Sequence, residues 1–170
     1  ENTLALPDKN GYPVLYADGT LTLDLNGYVL DLGADYIRIG GNTNNGTLTI
    51  MDSRPDETHK FTPDTDGLWV WDKNTGTGTE TVLGGVITGS EGSSGSAIHA
   101  GGSGGKVIMN GGNIVGHKTG GASGGAVCIT SGGRFTMNGG AIIGCTAEDG
   151  GGVAVVVGMF ELIDGVIKSC

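Results

Sequence analysis

The residues with the most chemistry to offer here are three cysteines, three histidines and two tryptophans. Cys145 and Cys170 close two copies of one short phrase, GAIIGC from Gly140 and GVIKSC from Gly165. His117 holds the same place in GNIVGH from Gly112, and Ser90 in GVITGS from Gly85. Cys128 matches His99 in a different phrase. If the phrases stack, neighbours in one column have Cα atoms about 4.8 Å apart, within reach of a disulfide. Three readings stay open: a Cys145–Cys170 disulfide stapling the last coil, stacked but unlinked thiols, and a His117/Cys145/Cys170 metal site. The metal reading lacks a fourth ligand, and no C-x-x-C spacing supports it. Three cysteines leave at least one unpaired. Cys128 reads as a lone outward thiol that could link two chains.

Trp69 and Trp71 lie in LWVW, from Leu68, with Asp64, Asp66 and Asp72 close by. Strand alternation puts both indoles on one face. There they either stack on sugar rings, being flat apolar bodies with a polar edge, or pack the segment onto the rest of the protein. A lyase-like site would need clustered Asp for Ca²⁺ and a neighbouring Arg or Lys as base. Aligning the phrases at Gly19 and Gly46 sets Asp24 against Met51 and Leu25 against Asp52, so no carboxylate cluster is expected. Lys106, Arg134 and Met159 share a column without a carboxylate. Glu161, near Asp164, takes the slot of Ile108 and Thr136 and reads as a solvent-facing strand residue. Glycine strings such as GGSGG from Gly101 satisfy loose phosphate-loop patterns, but none is followed by Lys-Ser/Thr. No catalytic residue and no cofactor is expected.

What could position these groups is a repeat. A glycine followed by alternating residues recurs at Gly19 (GTLTLDLNG), Gly46 (GTLTIMDS), Gly78 (GTETVLGG), Gly105 (GKVIMNGG), Gly133 (GRFTMNGG) and Gly158 (GMFELIDG), at intervals of about 25–32 residues. The phrases that end in Cys or His follow. A third set follows those: GSAIHA from Gly95, GGAVCI from Gly124 and GGVAVV from Gly151. Three short strands per repeat, separated by glycine corners, make a three-sided coil. A strand this short buries no face alone and must stack on its counterpart. Three columns are then expected inside, Val107–Phe135–Phe160, Met109–Met137–Leu162 and Ile114–Ile142–Ile167. A fourth, Ile98–Val127–Val153, completes the third side. Asn110 and Asn138 are equivalent too, either as a stacked amide ladder or as solvated turn residues.

The expected fold is all-β: a right-handed parallel β-helix forming one domain over 1–170, with about six three-sided coils. Residues 1–18 are expected to cap the first coil with Leu4, Leu6, Val14 and Leu15. Residues 51–76 are expected to be an inserted loop, and 78–170 to be regular coils. Gly is 36 of 170 residues and aromatics are 5%, so the core is aliphatic. The net charge of −9 argues against nucleic acid and anionic membranes as partners, and no run suits membrane insertion. The chain starts at Glu1 without Met and ends at Cys170 after an apolar stretch. It therefore reads as a mature product, or as a fragment whose last coil something else covers.

The strings LTLDLNGYVL, GTLTIMDS, FTMNGGAIIG and SGGAVCI resemble glycine-rich β-helix repeats of bacterial cell-surface, adhesin-like proteins, which share the fold first met in pectate lyases. The GGAV and FTMN tetrads are similar to the GGA(I/V/L) and FxxN repeats of chlamydial polymorphic outer-membrane proteins. The resemblance covers most of residues 19–170. Its motifs are corner and core residues, so it implies architecture more than activity. It implies a secreted or cell-surface, non-enzymatic module whose partners would be host or plant glycans or other surface proteins. One alternative is a structural subunit that associates head to tail through its last coil. Another is a fragment of a polysaccharide lyase or hydrolase.

Overall fold

The computed structural model describes residues 3–5, 13–17, 19–40, 45–89, 95–102, 104–120 and 123–170. These form a right-handed parallel β-solenoid with three sheets. Sheet A stacks Thr20–Asp24, Thr47–Met51, Lys106–Met109, Gly133–Met137 and Gly158–Leu162. Sheet B stacks Thr3–Ala5, Val29–Asp31, Val86–Thr88, Asn113–Val115, Ala141–Ile143 and Val166–Lys168. Sheet C stacks Pro13–Ala17, Tyr36–Ile39, Ile98–Ala100, Val127–Ile129 and Val153–Val155. Every ladder in these sheets is parallel.

Stacking register sets what is inside. Val107 pairs with Phe135 and Phe135 with Phe160, while Met109 pairs with Met137 and Met137 with Leu162. Ile114 pairs with Ile142 and Ile142 with Ile167, and Ile98 with Val127. Side chains of the middle coils in these columns are fully buried, and the rings of Phe135 and Phe160 stack with centroids 5.3 Å apart. Gly112 and Gly140 turn the chain from sheet A into sheet B at φ of +77° and +83°, where an L side chain is strained. A Cβ on Gly140 would also strike the Gly112 carbonyl oxygen. Asn138 Nδ2 donates to Asn110 Oδ1 at 2.8 Å, so the amides form a two-step ladder.

Sheet A has five rungs, one fewer than its six glycine phrases. Lys106–Met109 pairs directly with Thr47–Met51, and the strand after Gly78, Glu80–Leu83, leaves the barrel. The cause is visible in the side chains. The second residue after the glycine points inward in every other phrase: Leu21, Leu48, Val107, Phe135, Phe160. In this phrase it is Glu80, whose carboxylate would have to be desolvated between Leu48 and Val107. Instead Glu80–Leu83 pairs antiparallel with Thr58–Pro63, which also pairs antiparallel with Trp69–Val70. The insertion therefore runs from Asp52 to Gly84, beyond the expected end at residue 76, and is a small sheet in its own right. Asp52 anchors its root: Oδ1 accepts from the Gly27 amide at 2.7 Å and Oδ2 from the Gly85 amide at 2.6 Å.

The start of the chain also differs from the expected cap. Thr3–Ala5 and Pro13–Ala17 are rungs of sheets B and C, paired in parallel with Val29–Asp31 and Tyr36–Ile39. Their backbone extends the ladders instead of crossing the end of the barrel. Leu15 is half-buried against the core, while Leu6 lies outside the described residues.

The inserted sheet is a roof over sheet B. Val29, Val86, Val115 and Ile143 point outward from sheet B and are buried beneath Phe61, Trp69 and Val82, forming a second core. This explains why sheet B strands such as Ala141–Ile143 are apolar at adjacent positions. They are covered on both faces, whereas sheet A shows Lys106 and Arg134 to solvent.

Candidate functional site

The two tryptophans have separate fates. Trp69 is buried: its amide donates to the Gly144 carbonyl at 3.0 Å, and Lys168 Nζ stands 5.3 Å from its ring centroid. A Cβ on Gly144 would run into the Trp69 side chain, so that glycine makes room for the indole. Trp69 thus packs the roof onto the barrel and offers no face to a ligand. Trp71 is half-buried, resting partly on the second core. The rest of it walls a groove of about 660 Å³ between the roof and sheet B.

Asp31, Asp72, Lys73 and Asn74 bring polar groups to this groove, and Thr88, Gly89 and Gly116 lie on its barrel side. Asp72 is held in place by its own loop. Oδ2 accepts from the Thr75 hydroxyl at 2.6 Å and Oδ1 from the Asn74 amide at 2.8 Å. The Thr75 hydroxyl, followed by that amide, keeps the Asp72 carboxyl below its usual range. Asp31 Oδ1 accepts from the Gly33 amide at 2.9 Å. The groove thus combines an aromatic wall, two carboxylates that also brace turns, a lysine and an amide. A Cβ on Gly116 would strike the Trp69 carbonyl oxygen, so the roof sits this close only over glycine.

A second cluster lies inside the barrel at the corner between sheets B and C. There His117, Cys145 and Cys170 follow one another on successive rungs, as the register of Ile114, Ile142 and Ile167 requires. Ser90, expected below them, lies outside the described residues. His117 is fully buried and neither ring nitrogen has a hydrogen-bond partner. Burial pushes its pKa down to about 4, while the Asp35 and Gly125 backbone pulls weakly the other way. The ring lies over Gly89 of the preceding rung, where a Cβ would come 2.9 Å from Nε2. Among the described residues, no three His, Cys, Asp or Glu side chains converge enough to hold a metal ion.

Cys145 and Cys170 are free thiols: Cys145 Sγ donates to the Ile143 carbonyl at 3.5 Å and Cys170 Sγ to the Lys168 carbonyl at 3.2 Å. Cys145 is fully buried and Cys170 exposed. Burial drives the Cys145 thiol far up, while the neighbouring Cys145 side chain, ahead of nearby backbone groups, pulls Cys170 down to about 7. Cys128 is separate: it is half-buried on the outward side of sheet C, beside His99 and Ala154, and burial raises its pKa. His99 itself bonds Thr130 Oγ1 at 2.8 Å.

Sequence reasoning grouped the two tryptophans but missed the groove, because the roof that forms it is an antiparallel sheet outside the repeat. The signal was present in sheet B, whose outward positions are apolar and needed a cover. Comparison with protein-family models, with curated proteins and with solved structures finds no match to this chain.

Proposed function

We propose that this chain is a non-enzymatic, extracellular surface module of the adhesin-like kind, and that it binds glycans in the groove beside Trp71. The observation that carries this reading is a half-buried indole walling a groove with Asp31, Asp72, Lys73 and Asn74. An aromatic face takes the apolar side of a sugar ring, while carboxylates, amide and ammonium meet its hydroxyls. The stacked barrel beneath carries Asp31, and Trp69 ties the inserted segment that carries the rest to it. The net charge of −9 disfavours polyanions and favours neutral or amino sugars. A glycan array followed by calorimetric titration tests it. Trp71→Ala should weaken the best ligand about tenfold or more, roughly 1.4 kcal/mol. Unchanged affinity in that variant, or no binding to any glycan, removes the groove from consideration.

The last coil favours a second reading, a subunit that stacks end to end. Val155 and Leu162 are exposed there, at the ends of the inner columns of Ile129 and Met137. A further rung of the same register would cover them, supplied in this reading by a second copy. A single monomeric species at high concentration in sedimentation would sink it.

A further inference from the structure

We propose that Cys145 and Cys170 form a thiol-oxidation site, in which exposed Cys170 captures a low-molecular-weight disulfide and buried Cys145 resolves it into an intramolecular bond. The geometry carries the assignment. The two residues occupy one column on adjacent rungs, where Cα spacing is about 4.8 Å, within disulfide range. Cys170 Sγ reaches across to the Ile142 carbonyl oxygen, on the rung that carries Cys145, at 3.8 Å. One sulfur is open to solvent and the other is sealed in the core, which gives them distinct roles. Cys170 Sγ lies 3.2 Å from the Lys168 carbonyl oxygen, and a Cβ on Gly152 would sit 3.6 Å from that sulfur.

The chemistry balances in two steps. The Cys170 thiolate attacks one sulfur of the small disulfide. That S–S bond breaks, one small thiolate leaves, and Cys170 carries a mixed disulfide. Cys145 then loses its proton and attacks Cys170 Sγ. The mixed bond breaks, and the second small thiolate departs with that proton. Two protein thiols are oxidised and one external disulfide is reduced to two thiols. The downward shift of the Cys170 thiol to about 7 makes it the attacking group near neutral pH. Cys128 is on another face and takes no part.

The test uses the intact chain and oxidised glutathione. Alkylated after quenching and unfolding in denaturant, the thiols should fall from three to one per chain, the one remaining being Cys128. Peptide mapping should find Cys145 joined to Cys170, and a reducing agent should restore all three thiols. Initial alkylation of Cys170 should rise through pH 7, below the range of an ordinary thiol. Amide exchange in Val166–Lys168 should slow once the bond forms, a change that a surface adduct would not cause. The proposal is overturned if glutathione stays on Cys170 while Cys145 remains alkylatable. It is equally overturned if neither thiol reacts, or if the product is a dimer linked through Cys128.

Discussion

His117 is an imidazole held neutral inside the barrel with both nitrogens unpartnered. Its folded pKa, about 4, lies below the ordinary 6.5. The unfolded chain therefore binds the proton first as the solution is acidified. The stabilisation is fully present above pH 6.5 and is lost as pH falls toward 4. A shift of this size corresponds to about 3 kcal/mol. Urea unfolding at pH 7.5 and 4.5 should show a steep loss of stability in the wild type, and a shallower one in His117→Leu. Equal slopes in the two proteins would mean that some other group carries the acid sensitivity. The Asp24 and Asp72 carboxyls lie below their usual range, each held first by a neighbouring hydroxyl. They act only at lower pH and are common to both proteins. His117 was legible in the sequence as a member of a column, since the spacing of the Ile114 and Ile142 phrases fixes its rung. Its lack of partners was not legible, because that depends on how the ring tilts toward Gly89.

At the scale of elements, alternation decides most of the fold. Wherever a glycine is followed by inward residues that are all apolar, as with Leu48 and Ile50 or Phe135 and Met137, the phrase becomes a barrel rung. Glu80 breaks that rule, and the strand that contains it leaves the barrel; the glycine alone was not enough to read. The roof was harder to foresee, because its antiparallel pairings obey no repeat and join residues far apart in sequence. Trp69 is its main anchor. Trp69→Ala should lower stability by about 3 kcal/mol and raise amide exchange in Thr58–Pro63 and Glu80–Leu83, with the sheet A ladder little changed. Trp71→Ala, which removes a groove wall and little of the packing, should leave exchange near wild type. If the two variants unfold alike, the separation of anchor from ligand wall fails.

For the molecule as a whole, nearest-neighbour stacking means that each coil depends on the one before and the one after it. Both ends of the stack show partly exposed members of the inner columns, Leu21 and Leu23 at one and Phe160 and Ile167 at the other. Like-charged copies with a net charge of −9 repel one another, and salt screens that repulsion over about a Debye length, near 10 Å at 0.1 M. If the second reading is right, association should strengthen with added salt, since burial of apolar side chains is opposed mainly by charge. Sedimentation at low and high ionic strength would show this, and weaker association in salt would point to an interface built on ion pairs.

Because Lys106–Met109 rests directly on Thr47–Met51, the barrel keeps its register whatever lies between Asp52 and Gly84. That corner is a natural grafting point: a foreign peptide spliced there would leave the ladders on either side in step. The outward valines and isoleucine of sheet B set the one condition. A graft must bring its own apolar underside to replace Phe61, Trp69 and Val82, or the spliced protein will display a greasy strip and clump.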